Sequence, residues 1–314
     1  MIRIGIDVGG TGIQIGAVDE NFHIIVQDSI PPRTDLPFSE QMRQMTDCVQ
    51  KMLSPASGSG LCLDDIASVG VGVPGIADRE GNVIRCTNMG WENVPFRKVF
   101  TEYLDKPLFI DNDANVAALA ESVAGVSKGT SSSVFITLGT GIGSGIILNG
   151  RIWSGFHGAG GELGHTILMS GGTPCTCGNR GCTERYCSAT ALIHMAREAV
   201  EIHPESEILT VAGSPDKINA KVVIDAAKHG DSLAEELFRR FVSYLAQTIA
   251  NVVNFLDPEV IVLGGGVSKA GNFLLDAVQK EYPHYVLFNT LPLPDIKLAV
   301  LGADAGIIGA SMLS

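Results

Sequence analysis

The fold is decided by the stretch Ile4-Gly-Ile-Asp7-Val-Gly9-Gly10-Thr11-Gly12-Ile13-Gln14-Ile15-Gly16. It holds two β-rich runs on either side of a glycine turn, a pattern that predicts a β-hairpin. The design recurs further along the chain in the stretch Val134-Phe-Ile-Thr137-Leu-Gly139-Thr140-Gly141-Ile142-Gly143-Ser-Gly145-Ile146. The recurrence predicts that the protein is built from two related halves.

The segments between and after the hairpins predict the fold class. Apolar spacing predicts helices over residues 42–52, 116–124 and 233–253, and buried strands over residues 69–73 and 260–263. Strands that alternate with helices are typical of an α/β architecture.

Length and charge limit the organisation and the partners. The 314 residues exceed the usual size of one hydrophobic core and predict two domains. A net charge of −12 and a pI near 5.0 oppose binding to nucleic acid or to an anionic membrane surface. No apolar run is long enough for a membrane span, and the strand-like run after Met1 leaves no room for a secretory signal. We therefore expect a globular cytoplasmic protein without nucleic-acid or membrane partners.

The glycine turns of both hairpins are suited to phosphate. Without a Cβ atom, backbone N–H groups can approach an anion closely, and the hydroxyl of Thr11 or Thr140 adds a donor. Either turn alone could simply tighten a strand connection. Two such turns together with Gly264-Gly-Gly266 favour a nucleotide-binding protein, although the chain has neither a Walker lysine motif nor a dinucleotide fingerprint.

Asp113 precedes a predicted helix and has two interpretations. It could be an N-cap that accepts hydrogen bonds from free helical N–H groups. It could instead be a catalytic base that accepts the proton of a hydroxyl as that hydroxyl attacks the γ-phosphorus of ATP. The same carboxylate oxygens cannot easily serve both roles, so the sequence leaves both open.

Four residues have the composition of a metal site. His165 and the cysteines of the run Cys175-Thr-Cys177-Gly-Asn-Arg-Gly-Cys182 supply one imidazole and three thiolates, which fill the four positions of tetrahedral zinc. A filled site is structural. Buried free cysteines and a nucleic-acid zinc ribbon are the alternatives, and the acidic charge balance argues against the second.

Two carboxylates flank these metal ligands. Glu162 lies three residues before His165, and Glu184 lies two residues after Cys182. A metal that fixes the ligands therefore also positions both carboxylates, which can accept hydrogen bonds from adjacent sugar hydroxyls. Either glutamate taken alone could be an ordinary solvated surface charge.

These motifs resemble those of the ROK family of sugar kinases and repressors. The resemblance covers nearly the whole chain and rests on residues 7–11, Asn112-Asp113-Ala-Asn115, Gly161-Glu162-Leu-Gly164-His165 and residues 175–184. It implies an α/β, actin-like (ribonuclease H-like) two-domain ATPase fold with a cleft between the domains. It also implies ATP with Mg²⁺, phosphorylation of a hexose at its 6-hydroxyl, and a homodimer.

We place the smaller domain at residues 1–112 plus 302–314, and the larger domain, with the zinc loop and the sugar site, at residues 113–301.

Matching positions carry the family's roles over to this sequence. Asp113 resembles the catalytic base. The residues that resemble sugar ligands are Gly75, Asn88, Asn112, Asp113, Glu162, His165 and Glu184. The residues that resemble nucleotide-binding positions are Asp7, Gly10, Thr11, Gly12, Thr140, Gly141, Gly265 and Gly266. The residues that resemble ligands of a structural zinc ion are His165, Cys175, Cys177 and Cys182.

The stretches 155–162 and 182–192 most resemble the glucokinases of the family, which favours glucose as the substrate and glucose 6-phosphate as the product. N-acetylmannosamine, N-acetylglucosamine, allose, mannose and fructose stay open, because the discrimination of one hydroxyl depends on pocket shape. A non-catalytic, sugar-responsive regulator is the remaining alternative. Repressors of the family carry an N-terminal helix-turn-helix, whereas the first hairpin of this chain begins by Ile4, which favours the enzyme.

Overall fold

The computed structural model describes residues 1–314 and divides them into two compact units. The first unit comprises residues 1–129, 145–161 and 300–314, and the second comprises residues 130–144 and 162–299. The domain boundaries expected above, at residues 112 and 302, stay predictions.

Strands and helices alternate along the chain, which confirms the α/β class. The strands are β1 Ile2–Val8, β2 Ile13–Val18, β3 Ile24–Ile30, β4 Ile66–Val73, β5 Ile76–Ala77, β6 Val83–Cys86, β7 Trp91–Val94, β8 Leu108–Asn112, β9 Ser132–Leu138, β10 Ile142–Leu148, β11 Arg151–Ile152, β12 Val260–Gly264 and β13 Asp295–Leu298. The helices are α1 Phe38–Met52, α2 Phe96–Tyr103, α3 Asp113–Val123, α4 Glu184–Cys187, α5 Ala189–Ile202, α6 Glu207–Ala212, α7 Ala220–Lys228, α8 Ser232–Leu256, α9 Asn272–Glu281 and α10 Ala305–Ser311.

Two five-stranded sheets share one topology. The first has the order β3-β2-β1-β4-β8, in which β1 and β2 form an antiparallel hairpin while β4 and β8 run parallel to β1. The second has the order β11-β10-β9-β12-β13, in which β12 runs parallel to both β9 and β13. Each sheet therefore places a hairpin beside two parallel strands, as expected for two related halves.

The core of the first unit lies between its sheet and helices α1 and α2. Apolar side chains of alternate strand positions, such as Ile4 and Ile6, are fully buried there together with Met42, Met45 and Phe96. Burial of one such side chain stabilises a fold by roughly 1.5–3 kcal/mol. The sheet that carries the first hairpin is therefore a rigid support.

Helix α10 packs against the opposite face of this sheet at unusually short range. A Cβ atom at Gly5 would collide with the carbonyl of Ile307, and one at Gly70 would collide with the carbonyl of Ala310. Only glycine permits this approach of helix backbone to strand backbone. The approach fixes α10 on the sheet, where it also packs against α3.

The longest helix of the second unit, α8, begins at an Asp231 cap whose carboxylate accepts the N–H of Ala234 at 2.8 Å. Its buried face includes Leu237, Phe241 and Leu245, at the four-residue spacing read from the sequence. No helix of either unit has the length and apolarity that a membrane span requires.

Candidate active site and metal centre

The junction between β8 and α3 carries Asn112 and Asp113. Helix α3 begins at Asp113, three residues before the predicted start, and Asn112 is its N-cap. The Asn112 Oδ1 accepts the N–H groups of Ala114 at 2.9 Å and Asn115 at 3.3 Å. The N-cap interpretation of Asp113 was therefore wrong, because Asn112 has the extended backbone conformation that this role requires and Asp113 is already helical.

Asn112 also joins this junction to the turn after β4. Its Nδ2 donates to the carbonyl of Gly75 at 3.1 Å, and the N–H of Gly75 bonds to the carbonyl of Val73 at 2.8 Å. A Cβ atom at Gly75 would collide with the Arg85 carbonyl, so only glycine fits the turn. The structure thus brings together two of the residues that resemble sugar ligands.

Three residues on the neighbouring strands β1, β4 and β8 of the first sheet are paired side by side, close to the β8–α3 junction. Asp7 pairs with Gly72, and Gly72 pairs with Asp111, so both carboxylates rise on one face with a glycine between them. Burial raises the pKa of each carboxyl group above its ordinary value, and the amide of Asn115 partly opposes the rise at Asp111. These carboxylates therefore carry the energetic cost of a partly desolvated charge at neutral pH.

The two glycine hairpin turns have similar geometry. In the first, the N–H of Gly9 donates to the carbonyl of Gly12 at 3.0 Å, and in the second the N–H of Gly139 donates to the carbonyl of Gly141 at 3.0 Å. In both turns the threonine, Thr11 or Thr140, is exposed to solvent. Each turn therefore presents backbone and hydroxyl groups that a phosphate could reach.

Two further nucleotide candidates and one sugar candidate lie beside the turns of their own units. Asn88 lies in a 3₁₀ turn next to Gly10, where its Nδ2 would be 3.5 Å from an added Cβ atom. Gly265 has a φ of +82° and packs against the backbone of Leu138, at the end of β9. Gly266 follows it in an exposed position.

His165, Cys175, Cys177 and Cys182 form a cluster that can hold a metal ion. Their ligand atoms all lie within 4.8 Å of one another, with Cys177 Sγ 3.5 Å from Cys182 Sγ and Cys175 Sγ 3.7 Å from His165 Nδ1. Tetrahedral zinc separates such ligand atoms by about 3.5–3.8 Å. The donor set and the spacing therefore both fit zinc.

The thiols of this cluster differ in acidity. The backbone N–H of Asn179 lowers the pKa of Cys177 to about 7, whereas burial raises the pKa of Cys182 to about 12. Burial also raises the pKa of Cys175. Metal ligation requires thiolates, so binding of an ion would release protons from the buried pair.

Glu184 contacts the metal cluster directly. Its Oε1 accepts a hydrogen bond from Cys175 Sγ at 3.1 Å and lies 3.8 Å from His165 Nδ1. Its Oε2 lies where an added Cβ atom at Gly141 would approach it to 2.5 Å. The carboxylate therefore sits between the metal cluster and the glycine turn of the second hairpin.

Glu162 is tied to the cluster through the backbone. Its carbonyl accepts the N–H of His165 at 3.0 Å, at the start of the 3₁₀ turn Leu163–His165, while its side chain is exposed. Gly164 in that turn packs so closely on the Ile142 carbonyl that no Cβ atom fits. The turn thereby holds Glu162 and His165 against the second hairpin.

The sequence reasoning missed Asp111 and Asn115. Asp111 Oδ1 accepts the N–H of Asn112 and the Nδ2 of Asn115, both at 2.7 Å. The available signal was an acid followed four residues later by an amide across a predicted strand-to-helix junction, where the two side chains can meet.

Known proteins resemble this chain over its full length. The ROK family model matches residues 3–314. A glucokinase of Halalkalibacterium halodurans is 36% identical over 312 residues, covering 99% of this chain and 94% of that protein. A xylose repressor of Caldicellulosiruptor bescii is 30% identical and covers 99% of this chain, but the match spans only 79% of the repressor.

A solved structure shares the fold. The ROK family glucokinase of Streptomyces griseus, in complex with glucose and AMPPNP, has a TM-score of 0.81 and 30% sequence identity, covering 99% of this chain and 98% of that one. The expected two-domain actin-like fold is thereby confirmed. With sequence and fold in agreement along the whole chain, this protein belongs to the ROK family.

Proposed function

We propose that this protein is an ATP-dependent hexose kinase that transfers the γ-phosphoryl group to the 6-hydroxyl of glucose. The observation that carries the proposal is the β8–α3 junction, where Asn112 caps the helix and Asp113 occupies its first turn. Asn112 therefore holds the N-cap position, and the Asp113 carboxylate, whose Oδ1 also accepts the N–H of Ala114 at 2.9 Å, is the proposed reacting group. Similarity to glucokinases supports glucose as the substrate.

Asp113 is the proposed catalytic base. It would accept the proton of the 6-hydroxyl as that oxygen attacks the γ-phosphorus and the bond from phosphorus to the bridging oxygen of ADP breaks. The transition state of phosphoryl transfer is loose, so orientation of the hydroxyl should matter more than early removal of its proton. General base catalysis contributes typically 10²–10⁴-fold to a rate.

The proposed sugar ligands form two sets, one for each unit taken by itself. In the first unit these are Gly75, Asn88, Asn112 and Asp113, and in the second unit they are Glu162, His165 and Glu184. Asn112 uses one amide hydrogen on Gly75, so its second amide hydrogen can donate to a sugar hydroxyl. The carboxylates of Glu162 and Glu184 can only accept, which suits adjacent hydroxyl groups of one ring.

The glycine turns are the proposed nucleotide-binding elements. The proposed phosphate contacts are Gly10, Thr11 and Gly12 in the first unit and Thr140 and Gly141 in the second unit. Gly265 and Gly266 of the second unit are the proposed adenosine contacts. Mg²⁺ would arrive with ATP and neutralise the phosphate charge. Its proposed protein partner is Asp7, because Mg²⁺ is commonly bound through one or two carboxylates together with substrate phosphates.

We further propose that the cysteine cluster holds structural zinc. All four positions of the ion would be filled by His165, Cys175, Cys177 and Cys182, so it would take no part in the reaction. Its role is to hold Glu184, which lies two residues after Cys182, and Glu162, through the turn at His165. The zinc thereby supports sugar binding.

A coupled assay of ADP release over a panel of hexoses tests the proposal. The panel consists of glucose, N-acetylglucosamine, N-acetylmannosamine, allose, mannose and fructose, and phosphorus NMR identifies the position of the new ester. We expect the highest kcat/KM with glucose and a phosphate on its 6-oxygen. A higher kcat/KM with N-acetylglucosamine would move the assignment to that sugar. Absence of turnover with every hexose would reject the kinase.

Two further outcomes are informative. Sequence-specific DNA binding by the purified protein, together with sugar binding but no turnover, would favour a regulator. Light scattering tests the proposed homodimer, for which we expect about twice the mass of the 33.1 kDa chain.

A further inference from the structure

Asp111 is a partly buried carboxylate to which the proposed function assigns no role. It is the second-last residue of β8, an edge strand of the first sheet, and pairs with Gly72 of β4. Its Oδ1 accepts both the N–H of Asn112 and the Nδ2 of Asn115 at 2.7 Å. The two donors lie on either side of Asp113 in the chain, so one oxygen atom fixes both flanks of that residue.

The contact to Asn115 selects one orientation of a buried amide. Asn115 is only 1% exposed, and its Oδ1 meets no hydrogen-bond donor of the chain. An unsatisfied buried acceptor costs about 1–3 kcal/mol. Rotation of the amide by 180° would place its oxygen against the carboxylate of Asp111, and the two acceptors would repel each other. The charge-assisted bond from Nδ2 to Asp111 therefore offsets the cost and holds the first turn of α3 to the end of β8.

The hydrogen bond from the N–H of Asn112 to Asp111 holds the backbone on the N-terminal side of Asp113. A backbone N–H held by the preceding side chain restricts the rotation of the peptide that leads into the helix. The side chain of Asn112 is held separately, by its bonds to the N–H of Ala114 and to the carbonyl of Gly75. Loss of Asp111 would therefore loosen the backbone before Asp113 more than it would displace the Asn112 side chain.

We propose that Asp111 is the positioning residue of the phosphoryl-transfer site: by holding Asn112 and Asn115 it presents the carboxylate of Asp113 in one orientation. This inference rests on the proposed role of Asp113 as catalytic base. A displacement of about 1 Å at a reacting group can lower a rate by about 10²-fold, so a small rotation at Asp113 is enough to be measured.

The test compares Asp111→Ala with Asp111→Asn in the metal-loaded full-length protein. The alanine variant removes the acceptor, and we expect kcat per sugar-binding site to fall about 10–100-fold while the calorimetric Kd for glucose changes less than about threefold. The asparagine variant keeps a carbonyl oxygen at the same place, so we expect it to recover kcat to within about fivefold of the wild type. Counting sites by the stoichiometry of glucose binding removes the effect of unfolded protein.

Val49→Ala serves as a matched stability control. Val49 is fully buried in α1, belongs to the core between sheet and helix, and is not among the proposed sugar, nucleotide or metal ligands. It should lower the melting temperature without changing kcat per binding site. If Asp111→Ala does not fold, Asn115→Ala removes the other partner of the pair, and kcat per site should fall in the same direction.

The outcomes separate this inference from the proposed function. Wild-type kcat per site in Asp111→Ala, or equal activity losses in the alanine and asparagine variants, would overturn the positioning role. A wild-type protein that phosphorylates no hexose would instead reject the kinase itself.

Discussion

The β8–α3 junction and the loop of residues 162–184 both carry proposed sugar ligands, yet they are held by different means. The junction is part of a paired strand and a capped helix, and its side chains are fixed by hydrogen bonds to Asn112 and Asp111. Between Glu162 and Thr183 the loop has a 3₁₀ turn and two isolated bridges, Ile167 with Cys182 and Pro174 with Arg180, and Glu184 begins the short helix α4. Residues of the junction are held by the strand, the helix and the hydrogen bonds of Asp111, whereas residues of the loop would be held mainly by the metal ion.

The largest expected effect lies in the junction. Asp113→Asn removes the proton acceptor but keeps the shape of the side chain, so we expect kcat to fall about 10²–10⁴-fold. Glucose binding should persist, because the neighbouring hydrogen-bonding groups are unchanged. Steady-state kinetics and calorimetry measure the two quantities. A kcat close to that of the wild type would reject the assignment of the base.

The next effect lies in the loop. Removal of zinc by a chelator, or the change Cys177→Ser, should lower kcat/KM for glucose about 10–100-fold, mainly through KM, because Glu184 and Glu162 lose their support. Metal analysis of the wild type should find about one zinc per chain. Cys62→Ser is the control, since Cys62 is exposed and lies outside the cluster. Full activity without metal would contradict the supporting role of zinc.

A smaller effect tests the contact between Glu184 and the second hairpin. Gly141→Ala would bring a Cβ atom to 2.5 Å from Glu184 Oε2, so the carboxylate must move, and we expect KM for glucose to rise on the order of tenfold. Gly139→Ala is the matched control, because its added Cβ atom meets nothing closer than 3.9 Å. Equal KM values for the two variants would show that the Glu184 position does not matter.

The smallest effect concerns stability at Asp7. Burial raises its pKa in the folded protein above 3.8, so the penalty is fully present above the folded pKa and disappears as pH falls below the unfolded value. Asp7→Asn removes the charge and should raise the melting temperature at pH 7, and the gain should shrink as pH falls. Thermal melts at pH 7 and pH 4 check this. If Asp7→Asn raised the melting temperature more at pH 4 than at pH 7, the interpretation of Asp7 as a buried charge would be contradicted.

The sequence predicted the parts of the molecule that local patterns control. Both hairpins follow from β-rich runs around glycines, and α8 follows from the four-residue spacing of Leu237, Phe241 and Leu245. The cysteine spacing predicted a metal cluster whose ligand atoms do converge. In each case, neighbouring residues determine the geometry.

Features that depend on long-range packing were not predictable. Whether Asn112 or Asp113 caps α3 is decided by the backbone angles that β8 imposes at its end, and both residue types are good caps. The contact of Glu184 with Cys175 depends on how the loop folds back on itself. The role of Asp111 was missed because its hydrogen bonds to Asn112 and Asn115 form only when the end of β8 meets the start of α3.

Hydrogen exchange of the zinc-loaded and the chelated protein, followed by mass spectrometry, tests the contrast between junction and loop most directly. We expect residues 162–184 to lose protection when zinc is removed, while β8 and α3 keep theirs. Unchanged protection in the loop would contradict its dependence on metal, and an equal loss in both regions would contradict the independence of the junction.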